Sequence, residues 1–156
     1  MFVNLLNAAV DILQVYLYNK GMDKQYYDGT KLLSLMDANG NKPEIYICTT
    51  NRNAGKTTYF SRLLVNRFID KKEKFGIIYR YAYEFKSAGE KFFSQVQNLF
   101  FPTYTMKSEK RDNGTYYELF LNGESCGYAL ALNKADPLKK VSNVFSTVRR
   151  LMFDEF

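Results

Sequence analysis

The sequence predicts an α/β fold in which a mostly parallel central sheet is flanked by helices. A short apolar run that begins at Glu44 leads through a loop of small residues into a helical pattern at 57–70. A second apolar run at 75–81 follows that helix, and strand, helix, strand is the arrangement that joins parallel strands. Between residues 103 and 132, three strand-like runs are separated by Asn-Gly turn signals, so we expect an inserted antiparallel β-meander.

Length and composition favour one domain and exclude some chemistry. A chain of 156 residues is long enough for one domain with a real core and too short for two comfortable ones. We therefore expect a single domain over 1–156, with an N-terminal helix and adenine-side segment at 1–43 and the nucleotide-binding core at 44–156. The chain has no histidine, which excludes histidine metal sites and histidine general bases. The net charge of +6 is a weak indication of a polyanionic partner.

Nothing in the sequence indicates a membrane or an oxidising compartment. No apolar run approaches the roughly 20 residues that a bilayer-spanning helix needs. Residues 2–19 have one apolar stripe and contain Asp11, which is typical of an amphipathic helix rather than a signal peptide. Cys48 and Cys126 lie within predicted strands, so we interpret them as reduced core residues of an intracellular protein with no membrane partner.

The stretch after Glu44 has the form of a phosphate-binding loop. Its end reads Gly55-Lys56-Thr57-Thr58 and opens the predicted helix, so successive backbone N–H groups would form an anion site at a helix N-terminus. Lys56 would reach the β- and γ-phosphates of ATP, and the Thr57 hydroxyl would hold Mg²⁺. The predicted nucleotide-binding residues are Thr50, Asn51, Arg52, Asn53, Ala54, Gly55, Lys56, Thr57 and Thr58.

This match has one defect, and a simpler alternative exists. The usual pattern places a glycine where this chain has Thr50. The alternative is a helix that merely starts after a glycine and carries an exposed lysine. The strand-like run before the loop and the helical pattern after it favour the nucleotide site. Tyr26 or Tyr27, just upstream, is a candidate for stacking on the adenine.

The last nine residues supply a second candidate motif. An apolar run, predicted as a strand, ends in Asp154-Glu155. Asp154 would orient the Mg²⁺ shell, and Glu155 would polarise the attacking water as general base. A solvated chain end is the alternative interpretation, but an acidic pair after an apolar run and downstream of a phosphate loop favours the ATPase site.

Together these residues resemble the ATPase domain of the large terminase subunit, the DNA-packaging ATPase of tailed bacteriophages. The phosphate loop has an arginine inside it, Arg52, and lacks the first glycine. An Asn-Gly turn and a strand at 121–132 lead into an Asp-Pro-Leu-Lys loop at 136–139. The segment 152–156 resembles the Walker B ending of that family, and the resemblance covers about residues 44–156.

The resemblance implies a fold, an activity and partners. It implies a P-loop NTPase of the ASCE type, acting as a Mg²⁺-dependent ATPase that moves double-stranded DNA into a procapsid. The implied partners are double-stranded DNA, the phage portal and procapsid, and further copies in a homo-oligomeric ring, in the cytoplasm of the bacterial host. The roles carried over are nucleotide and Mg²⁺ contacts for Lys56 and Thr57, a phosphate contact for Arg52, a Mg²⁺ residue in Asp154 and the catalytic carboxylate in Glu155. Glu155, Lys56 and Arg52 thus form the expected catalytic set.

The resemblance leaves the trans-acting arginine unassigned and implies a domain that continues beyond Walker B. A trans-acting arginine belongs to the ring mechanism of the family, and Arg80, Arg149 and Arg150 are candidates. For Arg149 and Arg150 the preferred interpretation is a solvated turn before the last strand. The chain stops at Phe156, directly after the Walker B carboxylates, so we expect a truncated product or N-terminal piece that binds nucleotide without turning it over well.

Two other functions remain alternatives. A small P-loop nucleoside or nucleotide kinase fits the phosphate loop, although Glu155 directly after Asp154 favours water as the acceptor. A nonenzymatic remnant that binds DNA or the portal fits the basic clusters, which lie at 71–74, 107–111, 134–140 and 149–150. Scattered solvated lysines are the simpler explanation of the first three clusters.

Overall fold

The computed structural model describes residues 27–50, 54–84 and 96–153. They fall into two compact units, Met1–Phe60 and Ser61–Phe156, and the division lies within a helix. The helices are α1 (Thr30–Ser34), α2 (Lys56–Lys71), α3 (Ala82–Glu84) and α4 (Ala135–Lys140). The strands are β1 (Lys74–Tyr79), β2 (Met106–Arg111), β3 (Tyr116–Leu121), β4 (Glu124–Ala131) and β5 (Val148–Phe153).

The strands form one sheet in the order β2-β3-β4-β1-β5. β1 pairs in parallel with both β4 and β5, and the register places Ile77 opposite Ala129 on one side and Met152 on the other. β3 pairs antiparallel with β2 and with β4. The fold is therefore mixed α/β with a five-stranded sheet, and the predicted meander is confirmed.

The prediction of a mostly parallel sheet is wrong for the described residues, since two of the four strand pairings are antiparallel. The reason lies in the turns. Asn122 and Gly123 both have positive φ, at 49° and 81°, which is the backbone of a tight two-residue hairpin. Such a turn can join only antiparallel neighbours, and the meander supplies three of the five strands instead of a small insertion.

The core lies on one face of the sheet. Leu64, Val65 and Phe68 are the buried apolar positions of α2, and their i, i+1, i+4 spacing forms one stripe. They belong to the same apolar cluster as Phe75 and Ile77 of β1. Helical residues 96–100 contribute Val96 to the cluster, as predicted, but Leu99, also predicted to point inward, is 50% exposed. Phe92 and Phe93 of the predicted helix 88–99 lie outside the described residues.

The described residues of the first unit form turns, the short helix α1 and the first residues of α2. Asp37 accepts backbone hydrogen bonds from Asn39 and Asn41, at 2.9 and 2.7 Å, which closes the turn before the phosphate loop. Residues 45–50 have no regular secondary structure, so the strand predicted from the run after Glu44 is wrong. A strand needs a neighbour to satisfy its backbone groups, and the apolar pattern of a run does not reveal whether one is present.

Two further predictions concern the last strand and the N-terminal helix. Arg149 and Arg150 lie within β5 instead of in a turn before it, so that interpretation is wrong. The predicted helix at 2–19 lies outside the described residues. Within the part of the chain that is described, no helix is both long and apolar enough to cross a bilayer.

Candidate nucleotide-binding site

The phosphate-loop residues that the structure describes converge on the start of α2. Gly55 has a φ of 88°, in the left-handed region that glycine tolerates best, and it directly precedes Lys56, the first helical residue. The carbonyl of Gly55 accepts a hydrogen bond from the Tyr59 backbone N–H at 3.0 Å, which closes the first turn. The first turn carries no acidic side chain, so nothing there offsets the positive end of the helix.

The Lys56 side chain reaches back to Thr50. Its Nζ donates to the Thr50 side-chain Oγ1 at 2.8 Å and to the Thr50 carbonyl oxygen at 3.3 Å. The ammonium is therefore held beside Thr50. Sequence reasoning treated Thr50 as a replaced glycine and as a nucleotide-binding residue, and it missed this contact because no spacing rule links a lysine to the residue six positions before it.

Segment 27–30 packs on the start of α2 within the first unit. The Tyr27 backbone N–H donates to the Ala54 carbonyl at 2.6 Å, just before the turn at Gly55. The Tyr27 ring centroid lies 5.7 Å from that of Tyr59 and 5.8 Å from that of Phe60, which are edge-on and tilted aromatic contacts. We call the contacts of Tyr27 with Ala54, Tyr59 and Phe60 the Tyr27 clasp. The clasp joins the end of the loop to the segment that contains Tyr27.

The surroundings of this segment shift the pKa values of two of its ionisable groups. Burial, together with a hydrogen bond to Cys48, raises the pKa of Tyr27 to about 12, so its hydroxyl stays protonated at neutral pH. Hydrogen bonds from the Thr30 hydroxyl and the Thr30 backbone N–H, at 2.6 and 2.9 Å, lower the pKa of Asp28. The two hydrogen bonds between Asp28 and Thr30 lie at the start of α1. Tyr26, the other candidate for adenine stacking, lies outside the described residues.

The structure places the remaining predicted site residues as follows. Thr57, the predicted Mg²⁺ ligand, is exposed on the first turn of α2, and Thr58 beside it is half-buried. Five predicted site residues lie outside the described residues, namely Asn51, Arg52, Asn53, Asp154 and Glu155. Within the described ranges, no three acidic or cysteine side chains group as metal ligands.

The second unit presents the carboxyl ends of three parallel strands at one edge of the sheet. Arg80 directly follows β1, and its guanidinium lies 5.1 Å from the centroid of the Tyr81 ring. The Ala82 backbone N–H donates to the Asn133 side-chain Oδ1 at 2.9 Å, which links the ends of β1 and β4. β5 ends at Phe153 along the same edge, immediately before the predicted Walker B carboxylates. Ligands of α/β folds bind at such an edge.

The four basic clusters each contain a cation that is paired with a carboxylate. The pairs are Lys72–Glu124 at 2.5 Å, Arg111–Glu109 at 2.8 Å, Lys139–Asp136 at 3.3 Å and Arg150–Glu73 at 3.1 Å. Arg111 also pairs with Glu118. These carboxylates offset part of the positive charge that a phosphate-tracking surface would need.

Comparison with known proteins identifies the family. The model of the podovirus DNA encapsidation protein (Gp16) family matches residues 22–156. The chain belongs to this encapsidation family. The resemblance to a phage DNA-packaging ATPase is thereby confirmed. No curated protein sequence matches the chain.

Two solved structures from bacteriophage phi29 resemble this chain. The first is the crystal structure of the N-terminal domain of the DNA packaging ATPase, with 26% identity and a TM-score of 0.56 over 68% of this chain. The second is the viral genome packaging motor assembly, with 22% identity and a TM-score of 0.59 over 85% of this chain, and it supports the fold alone. This chain spans 50% of the first relative and 36% of the second.

Proposed function

We propose that this encapsidation protein contains the ATP-binding and ATP-hydrolysing site of a phage DNA-packaging motor, built on a P-loop NTPase fold. The observation that carries the proposal is the position of Lys56. It opens α2 directly after the left-handed Gly55, and its ammonium is hydrogen-bonded to Thr50. The simpler alternative, an exposed lysine on a helix that starts after a glycine, fits less well, because Lys56 is half-buried.

The described residues fit a nucleotide phosphate. Gly55, Lys56 and Thr57 would bring backbone N–H groups, an ammonium and a hydroxyl to the positive end of a helix that has no acid in its first turn. Arg52 would add a second cation from within the loop. Thr57 and Asp154 would hold Mg²⁺, which supplies charge neutralisation between the β- and γ-phosphates. Glu155 would take the proton of the attacking water.

Movement of double-stranded DNA is the second part of the proposal. It is supported by the family of the chain and by the likeness to a phage packaging ATPase. In the proposed motor several copies form a ring at the portal of the procapsid, in the host cytoplasm. One arginine would act on the site of a neighbouring copy, and Arg80 is favoured because it lies at the carboxyl edge of the parallel strands. Arg150, in contrast, pairs with Glu73 near the amino end of β1.

The test measures Mg²⁺-ATP binding and DNA-stimulated phosphate release by the full chain. We expect Lys56→Ala to weaken ATP binding by about tenfold or more, since a charge-assisted contact to phosphate is lost. Glu155→Gln should keep binding and lose hydrolysis. Lys42→Ala, an exposed lysine of the same unit, is the control and should behave like the parent.

Two results would reject the proposal. If Lys56→Ala and Glu155→Gln both matched the parent in binding and hydrolysis, the site assignment would be wrong. If the chain instead transferred phosphate to a nucleoside without releasing free phosphate, a kinase would replace the ATPase.

A further inference from the structure

Thr50 makes two hydrogen bonds to the same ammonium. The Lys56 Nζ lies 2.8 Å from the Thr50 hydroxyl oxygen and 3.3 Å from the Thr50 carbonyl oxygen. The carbonyl contact is open to any residue at this position, because every residue has that oxygen. The hydroxyl contact is specific to this sequence, since the glycine of the usual phosphate loop has no side chain to offer it.

The number of donors on the ammonium limits what Lys56 can bind at once. A lysine ammonium has three hydrogens to donate. Thr50 accepts two of them, so one remains for a ligand. Contact with both the β- and the γ-phosphate of ATP takes two donors, and one Thr50 bond must then break. Contact with the β-phosphate of ADP takes one donor, and both Thr50 bonds can stay.

We propose that Thr50 is a specificity-determining residue whose hydroxyl competes with the γ-phosphate for Lys56 and so narrows the preference for ATP over ADP. This inference rests on the proposed nucleotide site. The hydroxyl contact, at 2.8 Å, is the shorter of the two, so it takes up one of the three ammonium donors whichever Thr50 bond gives way to the γ-phosphate.

The expected effect is selective. Replacing the hydroxyl by a methyl group, in Thr50→Val, removes the competitor and keeps the β-branched shape. ATP binding should become tighter by about two- to tenfold, the range for one net hydrogen bond. ADP binding should stay within about twofold of the parent. A change in loop stability alone would shift both nucleotides together.

The experiment is isothermal titration of the full chain with Mg²⁺-ATP and with Mg²⁺-ADP. It compares the parent, Thr50→Val, Thr50→Ala as a second variant without the hydroxyl, and Thr50→Ser, which keeps it. We expect the valine and alanine variants to gain affinity for ATP alone, and the serine variant to match the parent.

The possible failures are distinguishable. If the parent binds neither nucleotide, the proposed function fails. If the parent binds both and the valine and alanine variants bind ATP equally well or more weakly, the role of Thr50 is wrong while the nucleotide site stands. The same conclusion follows if both nucleotides shift equally, or if the serine variant follows valine instead of the parent.

Discussion

Ile77 in β1 is 0% exposed, whereas Ile45 and Ile47, just before the phosphate loop, are 78% and 79% exposed. Both stretches are apolar runs rich in β-branched residues. Ile77 lies between two paired strands and under α2, so its side chain is enclosed by the second unit. Ile45 and Ile47 belong to a stretch without a strand partner. The same sequence pattern thus gives a core strand only where the fold supplies neighbours.

The two units also differ in how they are held together. The second unit relies on a buried apolar cluster and a continuous ladder of strand pairs. The first relies on turns, on the Tyr27 clasp and on the Lys56–Thr50 contact. A packed core resists change, while turns and ring contacts adjust. The Lys56–Thr50 contact therefore lies in the unit that adjusts more easily.

The largest expected effect tests this contrast directly with one residue type. Ile77→Ala should lower the free energy of unfolding by about 2–5 kcal/mol, because it leaves a cavity in the core. Ile47→Ala should stay within about 0.5 kcal/mol of the parent, since its side chain is already in water. Urea unfolding of both variants measures the difference. Equal losses would show that Ile47 is covered in solution and that the contrast is wrong.

A second pair of variants compares how far each unit can adjust. A Cβ at Gly127 would run into the backbone oxygen of Phe75 on the neighbouring strand, which cannot move without breaking the ladder. Gly127→Ala should therefore cost about 1–3 kcal/mol or more. A Cβ at Gly29 would lie 2.5 Å from the Tyr59 ring, and a side chain can shift. Gly29→Ala should cost less, in the same unfolding experiment, and a reversed order would contradict the comparison.

Sequence reasoning was accurate where the signal is local. The Asn122-Gly123 turn, the α2 helix and the β1 run are set by turn chemistry and periodicity within a few residues, and all three are found. The sheet could not be predicted as well, because strand direction and partners depend on contacts far apart in the chain. The contact of Lys56 with Thr50 was missed for a related reason. It depends on how the loop folds, and residue types alone do not encode it.

Tyr27, the central residue of the clasp, is expected to make a smaller contribution to stability, and this contribution depends on pH. Because the folded state raises its pKa from 10.0 to about 12, the folded state binds the proton more tightly than the unfolded chain does. The stabilisation is therefore complete below about pH 10 and is lost as the pH rises towards 12. Ultraviolet difference titration of the parent against Tyr27→Phe should show one late-ionising tyrosine. A normal titration for that residue would mean that the clasp is open in solution.

The smallest expected effect concerns a polar group inside the core of the second unit. Ser61 is 1% exposed, and its hydroxyl has no hydrogen-bond partner among the described residues. Burying an unsatisfied hydroxyl costs free energy, and alanine favours a helix more than serine does. Ser61→Ala should thus leave the stability unchanged or raise it by up to about 1 kcal/mol. If urea unfolding showed a clear loss of stability instead, the Ser61 hydroxyl would have a hydrogen-bond partner in solution. The packing beneath α2 would then be less complete than the apolar cluster around Ile77 indicates.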